Sequence, residues 1–174
     1  ELARRLRYWL LTLPAGVGRA TAKAILKSWL GWSPQKSGVF SAGNGPAMRA
    51  AILGAAIDDP QKLRDFVRIS SRITHTDPKA EYGAYAVALA AHLACRGRLK
   101  AQDFLAHLKT ALNDADEFLF LIAQACQAAA IGQSTKAFAE SLGLGKGVTG
   151  YVYHTVPVAI HASLVHPNDF RRAV

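Results

Sequence analysis

Acidic residues are scarce in this chain: 12 Asp and Glu stand against 21 Lys and Arg, for a formal net charge of +9. Such an excess attracts anions, including phosphates, nucleic acid and acidic proteins. The basic residues are nonetheless dispersed along the sequence, and none of the usual nucleic-acid-binding motifs is present. We therefore interpret the charge as a solvated basic surface and do not expect nucleic acid as a partner. A basic helical nucleic-acid binder stays open as a minor alternative.

Cysteine is nearly absent as well. Cys95 and Cys126 both lie in apolar runs, which predicts two reduced core residues and excludes a disulfide framework. Long apolar runs are also missing, because the longest, 84–94 and 118–123, fall short of the ~20 residues that cross a bilayer. These features predict a soluble cytoplasmic protein that makes no membrane contact.

Familiar catalytic signatures do not occur. The sequence has no zinc-protease motif, no CxxC pair, no GxSxG elbow and no dinucleotide-binding fingerprint. Its few carboxylates lie mostly in loops or at predicted helix starts, so no glycosidase-type carboxylate pair can be chosen. Function must therefore be sought in the glycine-rich loops.

What the sequence does have is helical periodicity almost throughout, without the alternation of a β-strand. Residues 79–96 are apolar nearly all round, which is typical of a buried central helix that needs a shell of other helices. We predict an all-α fold, a compact multi-helix globule forming a single domain over 1–174. The predicted helices are 1–13, 18–30, 46–57, 60–74, 79–96, 101–113, 116–131, 134–142, 149–165 and 167 onward.

Both ends of the sequence fall inside helical patterns. The chain opens at Glu1 without an initiating Met and closes at Val174 shortly after a helix has begun. A natural domain seldom starts and stops in the middle of a helix. We therefore expect a partial domain, apparently truncated at both ends.

The most informative segment is Ser41–Arg49 (SAGNGPAMR), in which two glycines flank Asn44 and a proline follows. Glycine allows close approach to a ligand, and proline favours the first helical position. The segment predicts a loop that presents free N–H groups at a helix N-terminus, where an anion can bind. Arg49, one turn into the helix, could add further donors. An ordinary turn before a helix is the alternative.

A second segment, 73–78, reads ITHTDP. Asp77 before Pro78 signals a helix start. His75 is placed at the end of the preceding helix, where the helix dipole favours a cation and tends to raise the pKa of histidine. His75 could donate to a phosphate or a sugar hydroxyl, or could simply cap its helix.

A third segment, 142–151, contains four glycines around Lys146 and could cradle an anion. It is not a P-loop, since Gly147 follows Lys146. A flexible connector explains it equally well. The aromatic residues of 151–157 could line a pocket or stack on a base, or could belong to a core helix, which Pro157 would kink or end.

In order along the chain, these segments resemble the ADP-ribosylglycohydrolase family, which includes dinitrogenase reductase-activating glycohydrolases, ADP-ribosyl hydrolases and J1 crystallins. The resemblance rests on 43–49 (GNGPAMR), on 74–77 (THTD) with the alanine-rich helix after it, and on 147–157 (GVTGYVYHTVP). It covers roughly 38–174. It implies an all-α fold and hydrolysis of the bond between ADP-ribose and a protein side chain or small acceptor.

The resemblance also implies where ADP-ribose would bind. Ser41, Gly43 and Asn44 would line the site and His75 would lie near the diphosphate or ribose, with Gly45 and Asp77 as further binding candidates of the same motifs. Three more residues would flank the adenosine end: Gly147, Gly150 and Tyr151. The partner implied is ADP-ribose or an ADP-ribosylated protein.

The family uses two divalent cations, usually Mg²⁺ or Mn²⁺, held by an acidic Asp-Asp element and a Gly-Gly-Asp-Thr-Asp element. Neither element occurs here. The resemblance therefore implies that the metal ligands and catalytic residues lie outside this chain, and that the chain on its own is inactive. A relative that binds ADP-ribose without cleaving it, or a crystallin-like structural protein, is the alternative.

Overall fold

A computed structural model describes residues 1–167 and 169–173, which form helices and loops without a β-sheet. The all-α prediction is confirmed. The helices are α1 (Leu2–Leu11), α2 (Arg19–Trp29), α3 (Gly45–Ala56), α4 (Pro60–Arg72), α5 (Pro78–Ala94), α6 (Ala101–Ala111), α7 (Asp116–Ala130), α8 (Thr135–Ser141), α9 (Val152–Val165) and α10 (Phe170–Ala173).

Side-chain caps and prolines fix the starts of the central helices. The carboxylate of Asp59 accepts hydrogen bonds from two N–H groups in the first turn of α4, and that of Asp77 accepts one from Lys79 of α5. Pro60 and Pro78 occupy the first positions, where a missing N–H costs nothing. These two loops therefore end where the sequence predicts.

The centre of the fold is the pair α3 and α5. Nine residues of α5 are buried, as the prediction of a central helix requires. The two helices approach so closely that a Cβ built at Gly54 would overlap the carbonyl oxygen of Ala88. Small residues thus set the spacing of the two helices that carry the glycine loop and the residues after His75.

Larger side chains fill the space around this pair. Helices α4, α6, α7 and α9 pack against α5 or against one another, and α8 covers the far end of α9. The fully buried residues of this shell include Phe104, Phe118, Ile122 and Val156, and a smaller cluster forms around Phe138. The shell holds the N-termini of α3, α5 and α9 at one end of the molecule.

Several predicted details differ in the structure. Helix α9 begins at Val152 rather than 149, because Tyr151 is extended and pairs with Gly43 in an isolated bridge. It runs through Pro157, which is buried within the helix. Cys126 is buried as predicted, but the prediction for Cys95 is wrong, since it caps the end of α5 and is exposed.

Two further observations concern the chain ends and membranes. The helix predicted from 167 onward lies partly outside the described residues, and α10 is the part that is described. Within the described ranges, no helix combines the length and apolarity that crossing a bilayer requires.

Candidate functional site

A cavity of about 710 Å³ opens where the N-termini of α2 and α3 face each other. Helix α1 and the loop after it form one wall, and the Ser41–Gly45 loop, which we call the glycine loop, forms the other. His75 and Gly150 complete the lining. The site thus joins segments that are more than a hundred residues apart in the sequence.

Hydrogen bonds pin the glycine loop to the start of α9. Asn44 N–H donates to Gly150 O and Val152 N–H donates to Ala42 O, each at 2.9 Å. The side-chain amide of Asn44 donates to Thr155 Oγ1 at 3.2 Å. Asn44 therefore joins the two loops, and the neighbouring residues Gly43 and Gly45 line the cavity.

The N–H groups of Gly43 and Gly45 have no hydrogen-bond acceptor in the part of the chain that the structure describes. Both glycines line the cavity, and Gly45 opens α3. Free N–H groups at a helix N-terminus carry partial positive charge and are suited to a phosphate or another anion. The geometry thus supports the anion-binding interpretation of the loop over that of an ordinary turn.

The two glycines are also required for packing, because the ring of His75 lies directly against them. A Cβ built at Gly43 would come within 2.9 Å of His75 Nε2, and one at Gly45 within 2.9 Å of His75 Cε1. Both distances are shorter than a carbon can tolerate. Glycine at these positions lets the imidazole approach the loop.

Arg49 lines the cavity as well, but most of its donors are already engaged within the protein. Its guanidinium donates to Gly45 O at 3.0 Å, Ser70 O at 2.8 Å and Thr74 Oγ1 at 2.7 Å. Burial lowers its pKa to about 10, which leaves it protonated at neutral pH. Arg49 therefore ties α3 to the end of α4 and presents a fixed charge behind His75.

The same contacts settle the tautomer of His75. Thr74 Oγ1 accepts from Arg49, so its single proton goes either to His75 Nδ1 at 2.9 Å or to Ser71 O at 3.5 Å. We assign the Thr74 hydroxyl proton to the shorter contact, with His75 Nδ1, because Ser71 O already accepts hydrogen bonds from two backbone N–H groups. Nδ1 is then the acceptor, so Nε2, the nitrogen beside Gly43, carries the ring proton.

The expected rise in the pKa of His75 is wrong. Burial, together with the nearby charge of Arg49, lowers the pKa from 6.5 to about 4, although Asp77 acts in the opposite direction. The ring is 3% exposed, and the cost of burying a charge outweighs the helix dipole that motivated the expectation. His75 is a neutral imidazole that offers an Nε2–H donor to the cavity.

Comparison with known proteins agrees with this geometry. The sequence pattern of the family described as ADP-ribosylglycohydrolase matches residues 1–174, which extends beyond the range of about 38–174 covered by the sequence motifs. The chain belongs to the ADP-ribosylglycohydrolase family.

Individual relatives match shorter parts of the chain. ADP-ribosylhydrolase ARH3 of Gallus gallus is 36% identical over 93 residues, covering 47% of this chain and 25% of the relative. ARH3 of Homo sapiens is 38% identical over 80 residues, or 46% and 22%. An uncharacterized protein of Archaeoglobus fulgidus is 39% identical over 97 residues, or 55% and 31%. The matched part of this chain corresponds to about a quarter of the length of these relatives.

The structure brings six of the nine predicted binding residues to the cavity: Ser41, Gly43, Asn44, Gly45, His75 and Gly150. The remaining three lie outside its lining. Asp77 caps α5, Gly147 belongs to the turn before Gly150, and Tyr151 lies behind the glycine loop. The family motifs thus include residues that line the cavity and residues that hold the surrounding loops and helix starts in place.

The support around Tyr151 centres on one lysine. Lys79 Nζ donates to Tyr151 Oη at 3.1 Å and to a Glu117 carboxylate oxygen at 2.8 Å. It also lies 4.7 Å from the ring centroid of Tyr153, a cation–π distance. These partners raise the pKa of Lys79. The N-termini of α5, α7 and α9 are thereby joined directly beneath the bridge between Tyr151 and Gly43.

Sequence reasoning missed the opposite wall of the cavity. Trp9 of α1, the Gly16–Gly18 segment and Thr21 of α2 all line it. The available signal was the Gly-Val-Gly spacing immediately before a helix, which parallels Gly43-Asn44-Gly45. This family site therefore lies between two glycine turns rather than on one.

The described residues do not fit a divalent cation. No carboxylate lines the cavity, and no three Asp, Glu, His or Cys side chains converge anywhere in the described ranges. Mg²⁺ and Mn²⁺ need oxygen ligands, which the glycine loop supplies only as backbone carbonyls.

The low pKa of His75 predicts a specific pH dependence of stability. Because the unfolded chain binds a proton at His75 near pH 6.5 and the folded chain only near pH 4, the free energy of unfolding should fall as the pH drops between these values. Urea unfolding at several pH values measures this slope. We expect His75→Gln to flatten it and His107→Gln, at an exposed site, to leave it unchanged. Equal slopes in all three proteins would contradict the assignment.

Proposed function

We propose that the full-length protein removes ADP-ribose from a modified protein side chain or a small acceptor, and that this chain binds the diphosphate. The observation that carries the proposal is the pair of glycines, Gly43 and Gly45, that line the cavity beside a neutral His75 and whose N–H groups have no acceptor among the described residues. Family membership and the ADP-ribosylhydrolase names of the relatives support the activity.

Each group has a distinct part in this proposal. The N–H groups of Gly43 and Gly45 donate to diphosphate oxygens, aided by the positive end of the α3 dipole. His75 donates from Nε2 to the diphosphate or the adjoining ribose. Because the imidazole is neutral, it provides a directed hydrogen bond that is nearly independent of pH above about 5.

Apolar residues contribute to the rest of the cavity lining. Leu6, Trp9, Val17 and Met48 line it together with the glycine loop. Apolar surroundings strengthen the hydrogen bonds that hold the phosphates. The indole of Trp9 also offers a face on which a base could stack.

The metal remains part of the proposal and not of this structure. We propose that Mg²⁺ or Mn²⁺ acts in the full-length protein through ligands outside these residues. When bound, such an ion polarises ribose hydroxyls and positions water. The residues described here would then hold ADP-ribose in place for that chemistry.

A hydrolysis assay tests the proposal. The full-length protein is incubated with peptides bearing ADP-ribose on serine or on arginine, with Mg²⁺, and released ADP-ribose is measured by mass spectrometry. We expect release from at least one substrate, and a loss of about tenfold or more in kcat/KM in Asn44→Ala, which unfastens the glycine loop. Asn113→Ala, at an exposed loop position, is the matched control.

The outcomes separate the proposal from its alternative. If the protein binds ADP-ribose but releases none from any substrate, a non-catalytic ADP-ribose-binding or crystallin-like relative is the better description. If it neither binds nor releases ADP-ribose, the hydrolase and the ADP-ribose-binding descriptions both fail, and the crystallin-like structural description is the better one.

A further inference from the structure

A second and larger cavity, of about 910 Å³, lies at the opposite end of the molecule. It opens between the start of α4, the end of α5 and α6. The glycine loop is near the N-terminus of α5, whereas this cavity lies along the C-terminal half of the helix from Tyr85 onward, and the two cavities share no lining residue. The second cavity is therefore not an extension of the first.

Positive charge dominates its rim. Four cationic side chains line it, Arg64, Arg96, Arg98 and Lys100, against the carboxylates of Asp58 and Asp103. Arg96 pairs with Asp58, whereas the other three cations form no ion pair within the described part of the chain. Unpaired guanidinium groups on one rim are suited to phosphate, whose geometry matches their paired donors.

The first turn of α6 adds to this rim. Lys100 occupies the N-cap position and supplies no side-chain acceptor, so the first N–H groups of the helix stay available. A lysine at this end opposes the helix dipole and is normally unfavourable there. An anion bound at the rim would relieve that repulsion.

Independent evidence comes from the floor of the cavity. Tyr85 is 5% exposed and lines it, yet its hydroxyl has no hydrogen-bond partner among the described residues. Burial raises the pKa of Tyr85, so the hydroxyl keeps its proton. The hydroxyl oxygen itself keeps accessible surface at the cavity, so it offers a free donor to a polar atom of a ligand.

Part of the remaining lining is apolar. Leu63, Leu89 and Leu93 surround Tyr85 at the base of the cavity. Inorganic phosphate would leave this apolar surface bare, whereas a ligand with a flat organic portion would cover it. The volume lies within the range of small-molecule sites, ~300–1,000 Å³.

We propose that this second cavity binds a phosphate-bearing small molecule of nucleotide size, with its phosphate at Arg64 and Arg98 and its organic portion over the leucines and Tyr85. The Tyr85 hydroxyl donates to a polar atom of that organic portion. Asp103, at the start of α6, is placed to accept from a sugar hydroxyl. The site is independent of the proposed hydrolase activity and of the glycine loop.

Calorimetric titration of the full-length protein tests this. ADP-ribose is first added at one equivalent per protein, so that its tighter site, the glycine-loop cavity, is filled while the second cavity stays open, and AMP, adenosine and inorganic phosphate are then titrated separately. We expect AMP to bind with submillimolar affinity that weakens with added salt, and the other two to bind at least about tenfold more weakly.

Two pairs of variants locate the binding. Arg98→Gln and Tyr85→Phe should each weaken AMP binding about fivefold or more. Lys136→Gln, an exposed cation on α8, and Tyr82→Phe, whose hydroxyl contacts Asp114 instead, should leave it unchanged. Arg98 is exposed, so Arg98→Gln tests the site without disturbing the core.

Three results would overturn the proposal. The first is an absence of AMP binding at millimolar concentration when the glycine-loop cavity is filled. The second is equal binding of AMP and inorganic phosphate, which would mean simple anion adsorption. The third is equal AMP affinity in Arg98→Gln and in Lys136→Gln. None of these results bears on ADP-ribose hydrolysis, so the two proposals fail separately.

Discussion

Gly43→Ala should lower the affinity for ADP-ribose by about 30-fold or more while leaving the protein folded. A methyl group at this position would lie 2.9 Å from His75 Nε2, so the imidazole must move away from the loop. That movement breaks the alignment of Nε2 with the cavity and weakens the contact of Nδ1 with Thr74. A loss of this size corresponds to about 2 kcal/mol, the cost of one or two directed hydrogen bonds.

Calorimetric titration of ADP-ribose into the full-length protein measures this effect, with Gly145→Ala as the control. Gly145 lies in the third glycine-rich loop, and a methyl group there would meet only the flexible side chain of Glu140, at 3.4 Å. It should therefore bind like the wild type. If Gly43→Ala binds ADP-ribose as tightly as Gly145→Ala, His75 is not part of the binding site.

Gly54→Ala should destabilise the fold by about 3 kcal/mol. The new methyl group would overlap Ala88 O and crowd the backbone of α5 at His92, and backbone atoms cannot step aside as a side chain can. The helices α3 and α5 would have to separate along their whole contact. Alanine is otherwise a better helix former than glycine by ~1 kcal/mol. Packing therefore predicts that Gly54→Ala lowers the free energy of unfolding, whereas helix propensity alone predicts that it raises it.

Urea unfolding of the full-length protein measures whether Gly54→Ala lowers or raises the free energy of unfolding. Ala55→Ser, one residue further along α3 and exposed, should change the stability by no more than about 0.5 kcal/mol. A Gly54→Ala protein as stable as the wild type, or more stable, would show that the close approach of α3 and α5 is not maintained. Gly54→Ala should also weaken ADP-ribose binding, because α3 begins at the glycine loop.

Local sequence signals predict the helices of this protein well. Asp59 and Asp77 cap the helices that follow them, as their position before proline predicts. The apolar composition of 79–96 correctly predicts the buried central helix. The start of α9 was misplaced because Tyr151 is held extended by Gly43, a residue more than a hundred positions away, and no local pattern carries that pairing.

The candidate site shows the same division between local and distant causes. The glycine loop is predictable because its conformation is determined by adjacent residues, Gly43-Asn44-Gly45-Pro46. The hydrogen-bond partners of Arg49 are not predictable from local sequence, since Ser70 and Thr74 lie on another helix and at its end. The pKa of His75 was misjudged for the same reason: helix position is local, whereas burial and the charge of Arg49 come from tertiary packing.

The wall formed by α1 and α2 illustrates a different difficulty. Gly16 and Gly18 carry a visible signal, but the motifs on which the resemblance rests cover only about 38–174 and do not include it. The family match over 1–174 brings that segment within the family. The structure places it across the cavity from the glycine loop.

The most direct test of the central claim is a crystal structure of the full-length protein with ADP-ribose. The account predicts diphosphate oxygens within hydrogen-bonding distance of the N–H groups of Gly43 and Gly45, with His75 Nε2 donating to the diphosphate or to the adjacent ribose. ADP-ribose bound elsewhere, or bound in this cavity with its diphosphate away from both glycines, would contradict the account.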